Sequence, residues 1–379
     1  MDYSDTFATT DADGFEGVEK RLEVAFTPVD MESDTQDGLR LLSRPQISSL
    51  LELAGCTIVS ELHNEHVDSY ILSESSLFVY RHRIILKTCG RTQVLQCVSL
   101  LLNYASGLSL KPCFCRYTHG SFLFPLKQPF PHSWFEVEVQ CLDSFFGYMD
   151  TEAHSLDGEH GQPAWYVYCA AADGYGTSIA DHGPLCTLEI GMTFLSRDFT
   201  RHFFNESGRQ TGSAMTEVSC ISKIFPSSFV LDDFAFTPCG YSMNAIDREA
   251  LSTIHVTPED TWSYGSFEAV WRSSHSLGDS WQKLVETVIS IFRPLRAVLS
   301  LHEEAPSSRA SSCPNPSGYV CNSTKRKEMQ HGTVVTFQAF HRSLARQKKV
   351  KDIIRDTTEY PASCEALFPS PHEHSAEGA

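Results

Sequence analysis

Basic charge is scarce in this sequence: 30 Lys and Arg stand against 47 Asp and Glu, a net charge of −17 over 379 residues. A chain so acidic repels phosphate backbones and anionic lipid, which excludes nucleic acid and membrane surfaces as partners but leaves small cations open. A long apolar run is missing too. The longest uncharged stretch, 92–110, is broken by Gln93, Gln96, Ser99, Asn103 and Ser106 and is no membrane span. Metal-ligand spacing is lacking. His63 and His66 form an HxxH, Cys113 and Cys115 a CxC, and His372 and His374 lie near the C-terminus, but none has a matching second pair. No metal is expected. The 13 cysteines are odd in number and scattered among apolar residues, the pattern of reduced, buried thiols in the cytosol. Asp2, Asp5, Asp11 and Asp13 precede any Lys or Arg, the opposite of a secretory or mitochondrial leader, so the expected location is cytosolic.

What remains is globular: 41% of residues are hydrophobic, enough for one large core or two medium ones. Residues 1–14 read as an acidic mobile tail, and 348–379, with the basic run Lys348, Lys349, Lys351 and Arg355, as a disordered one. Residues 69–79 and 83–88 read as strands. Val94, Val98, Leu101, Leu102 and Ala105 then recur at helical spacing. The second half repeats that order, with strands at 253–258 and 264–270. A helix follows with Trp281, Leu284, Val285, Val288, Ile289 and Phe292 on one face, stopped by Pro294. Two such blocks suggest duplication, with halves of about 15–172 and 180–347 in one domain. Residues 171–183 read as a linker or long loop and 305–324 as an exposed loop.

Three segments are odd. Leu72-Ser73-Glu74-Ser75-Ser76-Leu77 puts four polar residues inside a strand pattern and implies a kink or turn, for which an edge bulge is the plain explanation. Lys87-Thr88-Cys89-Gly90 lies where a strand meets a helix start, and a turn glycine beside a buried thiol would account for it. Pro238-Cys239-Gly240-Tyr241-Ser242 precedes a strand bearing His255, and a histidine in an apolar strand is usually a packed core residue.

Together these segments resemble the eukaryotic S-adenosylmethionine decarboxylases. FEGVEKRLEV at 15–24, YILSESSLFV at 70–79, ILKTCG at 85–90, PCGYSMN at 238–244 and TIHVTPED at 253–260 occur in family order and spacing, and the likeness spans 15 to about 342. YTHGSFLFP at 117–125 and SESSLFVY at 73–80 are similar to the plant form. The resemblance implies an α+β fold, a four-layer αββα sandwich of two large, mainly antiparallel sheets that arose by duplication.

It also implies a self-made cofactor. Decarboxylation of an amino acid needs an electron sink that side chains do not supply, and the family draws it from a pyruvoyl group made from an internal serine. By matched position that serine is Ser75, with serinolysis between Glu74 and Ser75 leaving chains 1–74 and 75–379 associated. His255 matches the processing base and Ser242 its helper. In turnover the pyruvoyl takes the substrate amine as a Schiff base, and Cys89 matches the proton donor. Phe15 and Phe236 match the rings that sandwich adenine, Glu259 the carboxylate on the ribose, Glu74 a further substrate contact, and Glu16 and Glu19 acidic residues that favour a cationic substrate. The product is the aminopropyl donor for spermidine and spermine, and the active unit is expected to be a two-chain monomer or a weak homodimer.

Animal members bind putrescine in an acidic pocket between the sheets. Glu23, Glu189 and Glu268 keep that pocket's acids, Leu185 replaces one aspartate, and Arg21, Arg116 and His302 match basic residues with which plant members fill it. Activity without putrescine is therefore expected. Arg91 stands where the family usually has Thr, either lowering the Cys89 pKa or pointing to solvent. Two other readings compete: an inactive paralogue that regulates an active partner, and an unrelated hydrolase using Cys89 or Ser242 with His255. Retention of Ser75, Cys89, Ser242 and His255 disfavours the first. Lack of an oxyanion loop or orienting acid disfavours the second.

Overall fold

The computed structural model describes residues 14–30, 37–156, 163–175, 184–272, 275, 281–304 and 314–343. The first half contributes β1 (Lys20–Pro28), β2 (Ile58–His63), β3 (Val67–Leu72), β4 (Ser75–Tyr80), β5 (Arg83–Thr88), β6 (Leu110–Gly120), β7 (Asp150–Leu156) and β8 (Trp165–Ala171). The second contributes β9 (Leu185–Thr193), β10 (Val230–Ala235), β11 (Tyr241–Asp247), β12 (Ala250–Thr257), β13 (Tyr264–Arg272), β14 (Arg296–Glu303), β15 (Tyr319–Glu328) and β16 (Val334–Arg342). Each set forms an eight-stranded sheet, ordered β2-β3-β4-β5-β1-β6-β8-β7 and β10-β11-β12-β13-β9-β14-β16-β15. Every strand of the first sheet thus has a counterpart eight labels later in the same place. The duplication visible as two short blocks in the sequence extends across both sheets.

Helices α1 (Arg44–Ala54), α2 (Val98–Gly107) and α3 (Phe135–Phe146) cover the outer face of the first sheet, and α4 (Arg197–Thr200), α5 (Gly212–Val218) and α6 (Trp281–Phe292) that of the second. The capping box of Ser43 with Gln46 starts α1, and Gly55 in a left-handed conformation ends it. α6 buries the six apolar residues expected of it. The result is the αββα sandwich. Alternation along β1 explains how the layers divide: Leu22, Val24 and Phe26 point to the helices, while Arg21 and Glu23 point to the other sheet. Between the sheets, one apolar cluster gathers Phe114, Trp165 and Phe337 and another Phe78, Ile85 and Val270. Buried charge runs between them.

Three boundaries differ from the sequence reading. The expected strand 69–79 is two strands, β3 and β4, joined by a turn at Ser73 and Glu74. The helix expected from Val94 opens with a 3-10 turn, Val94–Cys97, before α2 begins. Residues from Tyr319 onward, expected as exposed loop, form β15. Its polar side chains suit an edge strand that pairs with β16 alone, which hides the strand pattern. The linker expected at 171–183 is described only to Tyr175, where Asp173 and Gly174 form a turn. The tail 348–379, His372 and His374 included, lies outside the described residues, as do residues 1–13. Among the described residues no group of three or more His, Cys, Asp or Glu is placed to hold a metal, and no helix is long and apolar enough to cross a membrane.

Candidate active site

Ser75 opens β4, opposite Leu72 of β3 on one side and Thr88 of β5 on the other. Its φ is +130°, a conformation that an L-residue adopts at a cost of roughly 1–3 kcal/mol. The sequence reading expected a kink or turn here, with an edge bulge as the plain explanation. The kink is present, but Ser75 is only 2% exposed and is paired on both sides, to β3 and β5. The Ser75 hydroxyl donates to Glu19 Oε1 at 2.8 Å. The carbonyl of Glu74, one bond upstream, accepts the Cys89 N–H at 3.0 Å and faces Cys89 Sγ at 3.5 Å. Gly90 makes this approach possible. At φ +65° it turns the chain after β5, and a Cβ there would stand 3.2 Å from the Phe15 ring and 3.3 Å from Glu74 Oε2.

The second sheet supplies the opposite wall. Ser242 and His255 are register partners on β11 and β12, and Ser242 Oγ lies 2.8 Å from His255 Nδ1. His255 Nε2 meets Thr253 Oγ1 at 2.8 Å and Ser76 Oγ at 3.1 Å, with Glu19 Oε1 at 3.7 Å. Ser76 in turn donates to Asn244 Oδ1 at 2.7 Å. Burial pushes His255 down to about 4, which keeps the imidazole neutral. Burial pushes Glu19 up, but the charge of Lys87 and hydrogen bonds from Lys87 and Ser75 outweigh it and hold the carboxyl below its usual value. Burial, then the carboxylates Glu74 and Glu19, drive the Cys89 thiol well above its ordinary value. Arg91, the residue expected either to lower that thiol or to face solvent, is exposed, and the cation that opposes the rise is Lys20.

The remaining expected residues divide by position. Phe15 N–H donates to Glu259 Oε2 at 3.0 Å, which ties the N-terminal segment to the loop after β12. Phe236 sits at the Gly240 turn, edge-on to Phe234 at 4.8 Å. Glu16 accepts backbone N–H groups of Val18 and Phe124, and burial raises it to about 7. At neutral pH it therefore carries less negative charge than an acid serving a cationic substrate should.

Arg21, Glu23, Arg116 and Glu268 form one buried lattice between the sheets. Arg21 bridges Glu23 at 2.7 Å and Glu268 at 2.9 Å, and Arg116 meets Glu23 at 2.6 Å. Lys87 joins Glu19 to Glu268 at 2.9 and 2.8 Å, and Arg83 reaches Glu23 at 2.9 Å. Two expected members behave differently. Glu189 accepts a hydrogen bond from Thr118 instead of a guanidinium, and burial plus the Glu268 charge raise it to about 7. His302, matched as a basic residue, is not a cation: burial and the neighbouring Arg116 and Arg21 push it well below its usual value, and it bonds Ser300 at 3.0 Å. Leu185 is buried at the start of β9. Sequence reasoning missed Ser76, Asn244, Thr253, Lys87, Arg83 and Lys20. Ser76, Lys87, Asn244 and Thr253 lay in or beside segments singled out as odd, with no role assigned to them; Arg83 and Lys20 did not.

The family model of adenosylmethionine decarboxylase matches residues 12–341. The chain belongs to that family. The S-adenosylmethionine decarboxylase proenzyme of Ipomoea nil is 42% identical over 337 residues, 88% of this chain and 91% of that protein. The Helianthus annuus proenzyme is 46% identical over 296 residues, 77% of this chain and 81% of the other. The crystal structure of a Trypanosoma brucei AdoMetDC monomer superimposes with a TM-score of 0.54 at 23% identity, over 70% of this chain and 99% of that one, and bears on the fold. As a decarboxylase of this family, the chain acts on S-adenosylmethionine in polyamine synthesis. The family works with a pyruvoyl group, and a strained, buried serine whose preceding carbonyl is already hydrogen-bonded suits the making of one.

Proposed function

We propose that the chain cuts itself between Glu74 and Ser75, that Ser75 becomes the pyruvoyl group, and that Cys89 protonates the decarboxylated substrate. The observation that carries this reading is Ser75 itself, buried at φ +130° with its hydroxyl on an ionised Glu19 and the Glu74 carbonyl on the Cys89 N–H. Glu19 accepts the hydroxyl proton as Ser75 Oγ attacks the Glu74 carbonyl carbon. The Cys89 N–H and Sγ hold the negative charge that grows on the carbonyl oxygen. Breaking the Glu74–Ser75 C–N bond relieves the strain and leaves an ester on Ser75 with a free α-amine. His255, neutral at physiological pH, removes the Ser75 α-proton, and the Glu74 carboxylate departs from Cβ. Ser242, Thr253 and Ser76 keep the ring in place for that transfer. Tautomerisation of the dehydroalanine, addition of water and loss of ammonia complete residue 75.

The pyruvoyl group supplies the electron sink for loss of CO₂. Cys89, whose raised pKa keeps it protonated, donates to substrate Cα. Phe15 and Phe236 offer ring faces to the adenine and the sulfonium, and Glu259 takes the ribose hydroxyls. Residues 15–347 act as one catalytic domain. The two chains stay together after the cut, since β1 of the small chain is hydrogen-bonded between β5 and β6 of the large one. A two-chain monomer in the cytosol is the unit we propose.

A denaturing gel of the purified protein tests this. Two fragments, the larger starting at residue 75 with a ketone instead of an amine, are expected. A free N-terminal serine on that fragment would mean plain hydrolysis and no cofactor.

A further inference from the structure

Lys20 is a buried charge that the reaction sequence above leaves unused and that no ion pair of the lattice takes up. Its side chain is fully buried on the helix-facing side of β1, away from the ion-pair lattice of Arg21 and Glu23. Nζ donates to the Gly90 carbonyl at 3.0 Å and to Gln128 Oε1 at 2.9 Å, and stands 5.3 Å from the centre of the Phe122 ring. Those partners are neutral. A buried ammonium without a carboxylate in contact is costly, and such a charge persists where something nearby makes use of it.

The neighbourhood shows what that is. Gly90 directly follows Cys89, so the Lys20 bond to its carbonyl fixes the turn on which the thiol stands. The groups that act most strongly on Cys89 are Glu74 of the β3–β4 turn, Glu19 of the N-terminal segment and Cys56 after α1, all of which disfavour a thiolate, and Lys20, which favours one. Lys20 itself is acted on by Cys89, Glu16, Glu138 of α3 and Cys56, while burial lowers it to about 8. His132 and Glu74 also sense its charge. Tyr117, His132 and His119 close around Glu138 at 2.6, 2.7 and 2.8 Å, which gives both of that carboxylate's oxygens partners other than Lys20. The ammonium is thus held near its carboxylates but not neutralised by one.

We propose that Lys20 is a positioning residue of the decarboxylation, holding the Cys89–Gly90 turn and acting as counter-charge to the Cys89 thiolate formed on proton transfer. The proposal rests on Cys89 as donor. In that step the electron pair left at substrate Cα by loss of CO₂ takes the thiol proton, and the S–H pair remains on sulfur. The new anion lies beside Glu74 and Glu19 in a closed site. Without a cation the transfer would add a negative charge beside the ionised Glu19, and the proton would return to sulfur.

The experiment uses the self-cleaved enzyme and two variants. Lys20→Met removes charge and hydrogen bond. Lys20→Gln keeps a donor for the Gly90 carbonyl without the charge. Self-cleavage, kcat and KM are measured, together with the rate of Cys89 alkylation by iodoacetamide at pH 7, where Lys20 is charged, with Cys89→Ala marking the background. Expected are cleavage in both variants, KM nearly unchanged, kcat down about 10-fold or more, and alkylation at pH 7 slower by about 10-fold. A purely structural lysine would lower the yield of folded enzyme without changing that rate. Unchanged kcat and alkylation rate in enzyme that Cys89→Ala inactivates overturns the role of Lys20 alone. Undiminished turnover in Cys89→Ala overturns the donor assignment instead. If neither Lys20 variant folds, Gln128→Leu, which strips Lys20 of one acceptor, should slow alkylation at pH 7 in the same direction. An unchanged rate there, or a Gln128→Leu that also fails to fold, makes Lys20 a folding residue and ends the proposal.

Discussion

Two hairpins of this protein occupy the same place in duplicated sheets and differ in where the backbone takes a positive φ. In the first sheet β3 turns through Ser73 and Glu74 into β4, pairing Leu72 with Ser75. In the second β11 turns through Arg248 and Glu249 into β12, pairing Asp247 with Ala250. Both loops hold two residues. In the second hairpin the positive φ, +53°, falls on exposed Arg248, inside the loop and within the small left-handed region open to ordinary residues. In the first it falls on Ser75, at +130°, one residue past the loop and already paired in the strand. The fold therefore does not require the strain. The surroundings do: Thr57 O accepts the Ser73 N–H, Cys89 N–H holds the Glu74 carbonyl, and Glu19 holds the Ser75 hydroxyl. The counterpart loop is held by the Asn64 amide on Arg248 O and the Tyr80 hydroxyl on Glu249 O, contacts that grip carbonyls without a nucleophile beside them.

The largest expected effect erases the difference. Ser75→Ala should leave a single uncut chain without detectable decarboxylation, since it removes the nucleophile and with it the ester oxygen whose elimination from Cβ leads to the ketone. The reciprocal change, Ala250→Ser, places a hydroxyl at the matched register and should produce no second cut, because Ala250 lacks the positive φ and a Glu19. Intact mass of both variants decides. A cut at Glu249–Ala250 after that change would show that a hydroxyl at this register suffices, and the contrast between the hairpins would fail.

Next in size is Cys89→Ala, which separates the two duties assigned to one turn. Its backbone N–H remains, so self-cleavage should proceed, slowed only by loss of Sγ. Turnover should fall by about 10²–10⁴-fold, the range for a positioned proton donor. Single-turnover decarboxylation on the cleaved variant measures it. Full activity would return Cys89 to the plain reading of a buried small thiol.

The site was legible where chemistry demands rare residues in order. Ser75, Cys89, Ser242 and His255 stood in segments that packing could explain one at a time, and it was their order and spacing together that matched a known family. Their supporting cast was not legible. Ser76 and His255 are 179 residues apart and Ser76 and Asn244 168 apart, and nothing in either segment says that they meet. Only the facing of two sheets makes them neighbours. Charge state was hidden for a different reason. Glu16 and His302 look ionic as letters, but burial draws both toward neutrality, and burial follows from tertiary packing. The fold was legible to the level of a duplicated sandwich, the kink at Ser73–Glu74 included though its two strands were read as one, and the error at β15 came from polar edge-strand residues that read as loop.

The smallest expected effect concerns the buried lattice behind the hairpins, where the two sheets contribute unequal charge. β1, β5 and β6 bring the cations Arg21, Arg83, Lys87 and Arg116, while β9 and β13 bring Glu189 and Glu268. Glu23 and Glu19 complete the balance, four carboxyl groups facing four cations, so an added diamine finds no unmatched charge. Putrescine should change the activity of the unmutated enzyme by less than about 2-fold. Arg21→Leu sharpens the test, because it leaves Glu23 and Glu268 each short of one partner in a site closed to water, a loss of about 3–5 kcal/mol for a broken buried pair. That variant should melt earlier and work several-fold more slowly, and putrescine, a flexible dication, should restore part of both. Thermal melts and initial rates with and without the diamine measure this. Several-fold activation of the unmutated enzyme would mean that the guanidinium groups do not satisfy the lattice. Failure of putrescine to help Arg21→Leu would mean that Arg21 acts by its fixed fork geometry as well as its charge.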